Sequence, residues 1–131
     1  MIVLDASAAV EFVANRVLGQ RVGERISSAG TLHAPHLLVL EVAQALRRLA
    51  AVGEMAPDRG PTALGDLRDL GVVHHDHHLL VDRVWALRHN LTAYDAAYVA
   101  LAELLESPLV TCDGRLAEAP GHEAAIELIR S

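Results

Sequence analysis

The fold is decided by residues 1–15, which read MIVLDASAAVEFVAN. The apolar run Ile2–Leu4 is typical of a short buried strand, and Asp5 then precedes a helical pattern over residues 6–15. The same alternation of a short apolar run with a longer helical pattern continues along the chain. Strands that alternate with helices predict an α/β domain with a mostly parallel sheet and helices on both faces.

The remaining elements follow this alternation. We expect helices over residues 19–29, 35–52, 57–70, 79–89 and 93–106, and strands over residues 31–34, 72–73, 109–112 and 126–129. Pro35 is placed at the start of its helix because proline is favoured at the first helical position. Sheets of this kind bind ligands at the carboxyl ends of their strands, so we expect the functional site there.

The composition limits the class of protein. A chain of 131 residues, 52% of them hydrophobic, is one globular domain that can bury a core without disulfides. Its single cysteine excludes an internal disulfide, and the first residues lack the basic region of a signal peptide. We therefore expect a cytoplasmic protein, and no apolar stretch approaches the roughly 18 residues of a membrane span.

The net charge of −6 argues against a protein that binds nucleic acid by bulk electrostatic attraction. All eleven basic residues are arginine. A nucleic-acid enzyme with this charge would need cations at its site, or local patches of arginine.

Two of the predicted strands end in an aspartate, Asp5 and Asp113. Because the carboxyl ends of parallel strands meet at one edge of a sheet, we expect these two side chains to lie close together. The alternative for each is a structural role as a helix N-cap, where aspartate is favoured.

Two further acids lie within predicted helices. Glu41 has apolar residues on nearly every side, which predicts a buried helix, and a buried carboxylate is costly unless it is paired or bound to a metal. Neither Arg47 nor Arg48 falls at the i+4 position that favours an ion pair with it. Asp95 follows Thr92 at the spacing of a capping box, a structural alternative, although that motif prefers Glu or Gln.

Together, these four acids predict a divalent-metal site formed by Asp5, Glu41, Asp95 and Asp113. Carboxylates that converge repel one another and take up protons unless a cation neutralises them. Hard oxygen ligands suit Mg²⁺ or Mn²⁺, and the sequence has no zinc-type spacing. Magnesium held by carboxylates is suited to the hydrolysis of phosphodiester bonds.

Three motifs resemble those of the PIN-domain nucleases: VLDASA at residues 3–8, LTAYDAAYVALA at 91–102 and LVTCDGRL at 109–116. Their order and spacing resemble the VapC toxins of type II toxin–antitoxin systems, over essentially the whole chain. The resemblance implies a single PIN domain over residues 1–131. It would be a PIN-like three-layer sandwich with a sheet of about five strands.

The resemblance also implies a Mg²⁺-dependent endoribonuclease that cuts structured tRNA or rRNA, forms a homodimer and is silenced by a VapB-type antitoxin. Asp5 and Asp95 would be the firmest metal ligands, completed by Asp113 and Glu41. Ser7 and Thr111 would be supporting hydroxyls. No fifth carboxylate is placed convincingly after the third motif, although Glu118 is a candidate.

Three other interpretations stay open at this point. A catalytically inactive PIN fold could act as a binding module, although all four acids are present. A phospho-receiver-like signalling domain also clusters aspartates at strand ends, but receivers use a lysine near the site and this sequence contains none. A DNA nuclease is a third possibility, because no motif in the sequence indicates recognition of the 2′-hydroxyl that distinguishes RNA from DNA.

The remaining conspicuous residues are given structural roles. The string HHDHH at residues 74–78 is interpreted as a solvated loop near a helix cap, and a metal-binding pair of His74 with His78 is the alternative. His33 and His36 are interpreted as turn residues. Trp85 is expected to be a partly buried anchor, and Cys112 an inert buried thiol.

Overall fold

Five short strands form one sheet at the centre of the molecule. The computed structural model describes residues 1–131. The strands are β1 (Ile2–Leu4), β2 (Leu32–Pro35), β3 (Val73–His75), β4 (Leu109–Thr111) and β5 (Ile126–Leu128). Their order is β3-β2-β1-β4-β5, and every pair of neighbours is parallel. The predicted α/β class with a five-stranded parallel sheet is confirmed.

Seven helices connect and cover these strands. They are α1 (Ala6–Val13), α2 (Gly19–Ser27), α3 (Leu37–Ala51), α4 (Arg59–Asp69), α5 (Val81–Ala86), α6 (Ala93–Leu105) and α7 (Gly114–Glu118). Helix α1 packs against α2, α3 and α4, whereas α5 packs on α6, and α6 contacts β1, β2 and β4. The helices thus form two groups, as a three-layer sandwich requires. None of them is both long and apolar enough to span a membrane.

The middle of helix α6 is buried all round. Seven consecutive residues, 96–102, are buried, and four of them are alanine. Small side chains let the helix lie close to the sheet, and its fixed position sets the location of residues at its start. A helix without a polar face is expected only inside a core.

Helix α3 is different, and the expectation that it is apolar and buried on every side was wrong. Leu40 is 74% exposed and Val39 is 41% exposed, while Leu38, Val42 and Leu46 face the core. The helix has one buried face, and nothing in the chain covers the other. Glu41 lies at the border between the two faces and is only partly buried.

The site expected at the carboxyl edge of the sheet coincides with a change in strand order. From β1 the chain moves outward on one side through β2 and β3, and it later returns to place β4 and β5 on the other side. A crevice forms where the order reverses, beyond the carboxyl ends of the strands on either side. Asp5 follows β1 and Asp113 lies two residues beyond β4. The topology therefore brings the two ends together.

Two predicted boundaries around the first half of the sheet were wrong. Pro35 does not start a helix: it is the last residue of β2, is buried and pairs with His75. A proline at a strand end costs the sheet little, although it has no N–H to donate. The next residue, His36, donates its N–H to the His75 carbonyl at 3.0 Å. Strand β3 accordingly extends to His75, so His74 and His75 are in the sheet and not in a loop.

Several single-residue interpretations also change. His33 is not a turn residue, because it lies buried on β2. Trp85 is not a partly buried anchor: it is 68% exposed, and the Arg88 guanidinium lies 4.6 Å from its ring centroid. Cys112 lies just after β4 and is only partly buried, and that burial raises the pKa of its thiol to about 11. This value keeps the thiol protonated and unreactive at neutral pH.

The second half of the chain also departs from the predicted boundaries. The helix expected over residues 79–89 is replaced by a short 3-10 turn, His77–Leu79, followed by α5. Asp76 accepts a hydrogen bond from the N–H of His78 at 2.8 Å and caps that turn. Helix α7 was not predicted, because five residues are too few for a periodic pattern to be recognised.

A close approach between α1 and α2 yields a prediction about stability. A Cβ atom added at Gly19 would lie 2.5 Å from the carbonyl oxygen of Glu11, which is backbone and cannot rotate away. We expect Gly19→Ala to lower the free energy of unfolding by about 1–3 kcal/mol, as overpacking does. Urea unfolding followed by circular dichroism would measure the change.

Gly65 is the matched control, since it lies inside α4 with no atom within 4 Å of an added Cβ. Gly65→Ala should stabilise by about 0.5–1 kcal/mol, because alanine loses less backbone freedom in a helix. Equal effects of the two substitutions would contradict the proposed α1–α2 contact.

Candidate active site

The carboxylate of Asp5 is held by three hydrogen bonds. Its Oδ1 atom accepts from the backbone N–H of Ala8 at 3.0 Å and from the Ser7 hydroxyl at 2.7 Å. Its Oδ2 atom accepts from the Thr111 hydroxyl at 2.5 Å. Asp5 therefore does cap α1, as the structural alternative proposed, but it also contacts the end of β4. The residue is 5% exposed, and no arginine or histidine pairs with its carboxylate.

Burial dominates the protonation of Asp5. Removal from water raises the pKa of its carboxyl from 3.8 to about 6, although the bonds from Thr111, Ala8 and Ser7 oppose the rise. The negative charge of Asp113 adds to the rise. A carboxylate in this position is short of positive charge.

Two hydroxyls connect the strand ends around this carboxylate. The Ser7 hydroxyl accepts the N–H of Cys112 at 2.9 Å, and the Thr111 hydroxyl accepts the N–H of Asp113 at 3.0 Å. Each hydroxyl has one proton, and the geometry directs both protons to Asp5. The 3.2 Å contact between the two hydroxyl oxygens is then a close approach and not a further hydrogen bond. The two residues that the resemblance singled out as supporting hydroxyls thus both contact Asp5.

Asp113 caps the short helix α7. Its Oδ1 atom accepts the N–H of Arg115 at 2.9 Å, and its Oδ2 atom lies 3.4 Å from an Nη atom of the same arginine. The Arg115 side chain is almost fully exposed, so this ion pair is weak and solvent-screened. The capping interaction uses one carboxylate oxygen and leaves the other accessible.

Asp95 lies in the first turn of α6. The Thr92 hydroxyl accepts the N–H of Asp95 at 3.2 Å, which is one half of a capping box. The reciprocal bond, from the N–H of Thr92 to the Asp95 carboxylate, does not form. Burial and the nearby charge of Asp113 raise the pKa of Asp95, and Arg115 and the Thr92 hydroxyl lower it. Capping therefore does not account for the negative charge at this position.

Glu41 reaches the site from α3 and is held by a tyrosine. The hydroxyl of Tyr98, a buried residue of α6, donates to Glu41 Oε1 at 2.7 Å. Burial and the charge of Asp95 raise the pKa of Glu41, and the tyrosine bond lowers it. Neither Arg47 nor Arg48 forms an ion pair with it.

The contribution of Tyr98 was missed from the sequence, although a signal was present. Tyr98 lies three residues after Asp95, and residues at that spacing occupy the same side of a helix. The tyrosine ring could only be connected to Glu41 once the packing of α3 against α6 was known.

The four predicted acids act on one another as a chain of like charges: Asp5 with Asp113, Asp113 with Asp95, and Asp95 with Glu41. No three of these carboxylates are close enough together to hold a metal ion, so the acids are spread around the site. Glu118 is exposed on α7 and is not among the charges that act on these acids. Hard oxygen donors with raised pKa values and little compensating charge fit a divalent cation.

The histidines lie elsewhere and form contacts of their own. The Nδ1 atom of His33 lies 2.9 Å from Nε2 of His75, and the Nε2 atom of His77 accepts the N–H of Leu37 at 2.9 Å. His36 stacks on His74 with ring centroids 5.9 Å apart. No three of them are arranged to hold a metal ion. These contacts join β2, β3 and the start of α3.

Comparison with known proteins identifies the family of the chain. The family model of the PIN domain matches residues 2–122. The chain is 41% identical to "Ribonuclease VapC1" of Mycobacterium tuberculosis over 129 residues, which cover 98% of this chain and 97% of the relative. It is 42% identical to "Ribonuclease VapC9" of the same organism, with 98% of each chain covered.

More distant proteins are also similar. "Ribonuclease VapC3" of Pyrobaculum aerophilum is 36% identical over 121 residues, which cover 89% of this chain and 92% of the relative. Among solved structures, PAE2754 from Pyrobaculum aerophilum has a TM-score of 0.69 and 23% identity, and the match covers 95% of this chain and 81% of the other. This last likeness concerns the fold alone. With a family model that matches almost its whole length and relatives above 40% identity across it, the chain belongs to the PIN-domain family and, within it, to the VapC ribonucleases.

Proposed function

We propose that this protein is a metal-dependent endoribonuclease, the toxin of a VapBC-type toxin–antitoxin pair, which hydrolyses phosphodiester bonds of RNA. The observation that carries the proposal is the set of four acids at the carboxyl edge of the sheet, of which three have raised pKa values. Family membership removes the phospho-receiver alternative. The relatives named as ribonucleases support the choice of RNA as the substrate.

Asp5, Asp95, Asp113 and Glu41 are the residues that would hold the ion. Mg²⁺ fits these oxygen ligands, and Mn²⁺ can substitute for it. When bound, the ion would supply Lewis acidity toward a phosphate oxygen at the bond that is cut.

Neighbouring residues hold two of the four carboxylates in fixed positions. Ser7 and Thr111 hold both oxygens of Asp5, and Tyr98 holds one oxygen of Glu41. Neighbours that orient metal ligands in this way commonly matter for metal affinity and activity. Asp113 and Asp95 are less constrained and are free to adjust to the ion and to a phosphate.

The partners follow from the same proposal. The substrate would be structured RNA such as tRNA or rRNA, and the inhibitor a VapB-type antitoxin. An arginine of such a partner could pair with the uncompensated carboxylates and so block the site. We also propose that the chain forms a homodimer and acts in the cytoplasm.

The alternative that remains is a catalytically inactive binding module, and Asp95→Asn separates it from the nuclease. We expect this variant to lose more than about 100-fold in cleavage, beyond the usual effect of a group that only orients a metal ligand. Its metal-free form should be as stable as the wild type or more so, because one of the repelling charges is gone. Single-turnover cleavage of total tRNA with Mn²⁺ and melting without metal would measure both.

Asp82 provides the matched control, because it is an exposed acid in the first turn of α5, away from the site. Asp82→Asn should cleave at the wild-type rate and lose a little stability from the weaker interaction with the helix dipole. If Asp95→Asn still cuts as fast as the control, Asp95 is not part of the site.

The raised pKa of Asp5 predicts how metal-free stability depends on pH. In the unfolded chain this carboxyl ionises near pH 4, whereas in the fold it stays protonated up to about pH 6. The folded state binds more protons between these values, so its stability falls as pH rises through this window and levels off above it. For this buried group the decrease amounts to about 3 kcal/mol at most, from a shift of about two pKa units.

Urea unfolding in EDTA at about pH 4 and about pH 7 tests this decrease against Asp5→Asn, which lacks the titrating group. As pH rises, the free energy of unfolding should fall in the wild type relative to the variant. Mn²⁺ at neutral pH should restore wild-type stability and leave the variant unchanged. A pH-independent difference would show that Asp5 is not protonated in the fold.

A further inference from the structure

A cleft beside the acids has no role in the function described so far. It lies between α3 and the start of α6 and has a volume of about 290 Å³. Its lining residues are Leu37, Leu40, Glu41, Gln44, Arg48 and Tyr94. Five of the six come from α3, at spacings of three and four residues along one side of that helix. One wall of the cleft is therefore a continuous stripe of side chains on α3, and the ring of Tyr94 forms the other wall.

The cleft is continuous with the candidate active site. Glu41 lines the cleft and belongs to the set of four acids, and Tyr94 immediately precedes Asp95. Whatever occupies the cleft lies next to the bond that the acids would cut.

One part of the cleft wall is apolar and open to solvent. Leu40 is 74% exposed and Tyr94 is 66% exposed, and the Tyr94 hydroxyl has no hydrogen-bond partner within the chain. The chain has only four aromatic residues of the Phe, Trp and Tyr types, and two of them are largely exposed. One of these two borders the acids. An aromatic face with an aliphatic neighbour is the surface on which a nucleobase stacks.

The far end of the cleft carries positive charge. Arg48 is exposed and forms no ion pair, whereas Arg16, Arg25 and Arg83 are paired with glutamates. It lies seven residues from Glu41, roughly 10 Å along the helix axis. At that distance it would meet a phosphate that neighbours the cut bond and not the cut phosphate itself. A guanidinium is well suited to bind such a phosphate.

We propose that this cleft binds one unpaired nucleotide of the RNA, adjacent to the bond that is cut. The base stacks on Tyr94 against Leu40, the Gln44 amide faces the base edge, and Arg48 binds the neighbouring phosphate. The inference rests on the proposed ribonuclease function and adds the residues that position the RNA beside the cut bond. A base can enter the cleft only after leaving a helical stack, so the RNA has to be single-stranded at the cut site.

The test combines two substitutions with removal of single bases from the substrate. An RNA oligonucleotide that the wild type cuts at one position is prepared with an abasic residue at each position in turn. Equilibrium binding is measured by fluorescence anisotropy in EDTA, where no cleavage occurs. We expect one abasic position, next to the cut, to weaken wild-type binding about 10-fold, as loss of one stacked base does.

Tyr94→Ala should weaken binding of the intact oligonucleotide by a similar factor. The affinity of this variant should not fall further when the base at that position is removed. Tyr94→Phe, which keeps the ring, should bind as the wild type does. Arg48→Ala should weaken binding at every abasic position and reduce its salt dependence by about one counterion. Trp85→Ala is the matched control, since Trp85 is as exposed as Tyr94 but lies on α5. It should change nothing.

Three results would overturn the proposal. In the first, Tyr94→Ala and Arg48→Ala bind RNA as tightly as the wild type, while Asp95→Asn still fails to cut. This result would contradict the proposed nucleotide site and leave the proposed ribonuclease function standing. Equal cleavage of the same sequence within a continuous duplex would do the same. Loss of binding to a co-expressed protein partner, with RNA binding unchanged, would assign the cleft to that partner. A wild-type protein that neither binds nor cuts RNA would instead refute the proposed function itself.

Discussion

The structure depends on the burial of one carboxylate, that of Asp5, at the end of the central strand. Its oxygens accept bonds from Ser7, Ala8 and Thr111, so the same group fixes the start of α1 and the end of β4. These bonds replace water but do not supply positive charge, and the pKa of Asp5 is still raised to about 6. A buried acid without a cationic partner is costly for the metal-free fold. Under the proposed function, a bound cation would remove this cost, so the site and its ion would stabilise each other.

Much of this arrangement could be predicted from the sequence, for a physical reason. The central strands β1 and β4 are short, largely apolar runs with an acid just after them, and parallel strands end at the same edge. These rules placed Asp5 and Asp113 together without knowledge of any contact. The topology confirms that both acids follow neighbouring strands, β1 and β4, at one edge of the sheet.

The errors concern contacts between distant parts of the chain. Pro35 was assigned to a helix because its preference is local, whereas its place in β2 depends on pairing with β3 about 40 residues away. The two helices rich in apolar residues were equally good candidates for burial, yet only α6 is enclosed, because α5 covers it and nothing covers the outer side of α3. The hydrogen bond from Tyr98 to Glu41 crosses between these two helices and could not be anticipated from either one. Sequence patterns report which residues are apolar, but packing decides which of them are covered.

The separation in sequence between Asp5 and Thr111 has a consequence for the synthesis of the protein. The two residues are 106 positions apart, and β1 receives its neighbour β4 only after that whole interval has been translated. At roughly 5–20 residues per second, the delay is several seconds or more. Until Thr111 has left the ribosome, Asp5 lacks one of its three donors and Asp113 is not yet present. A growing chain therefore completes the candidate active site only after nearly the whole domain has been synthesised.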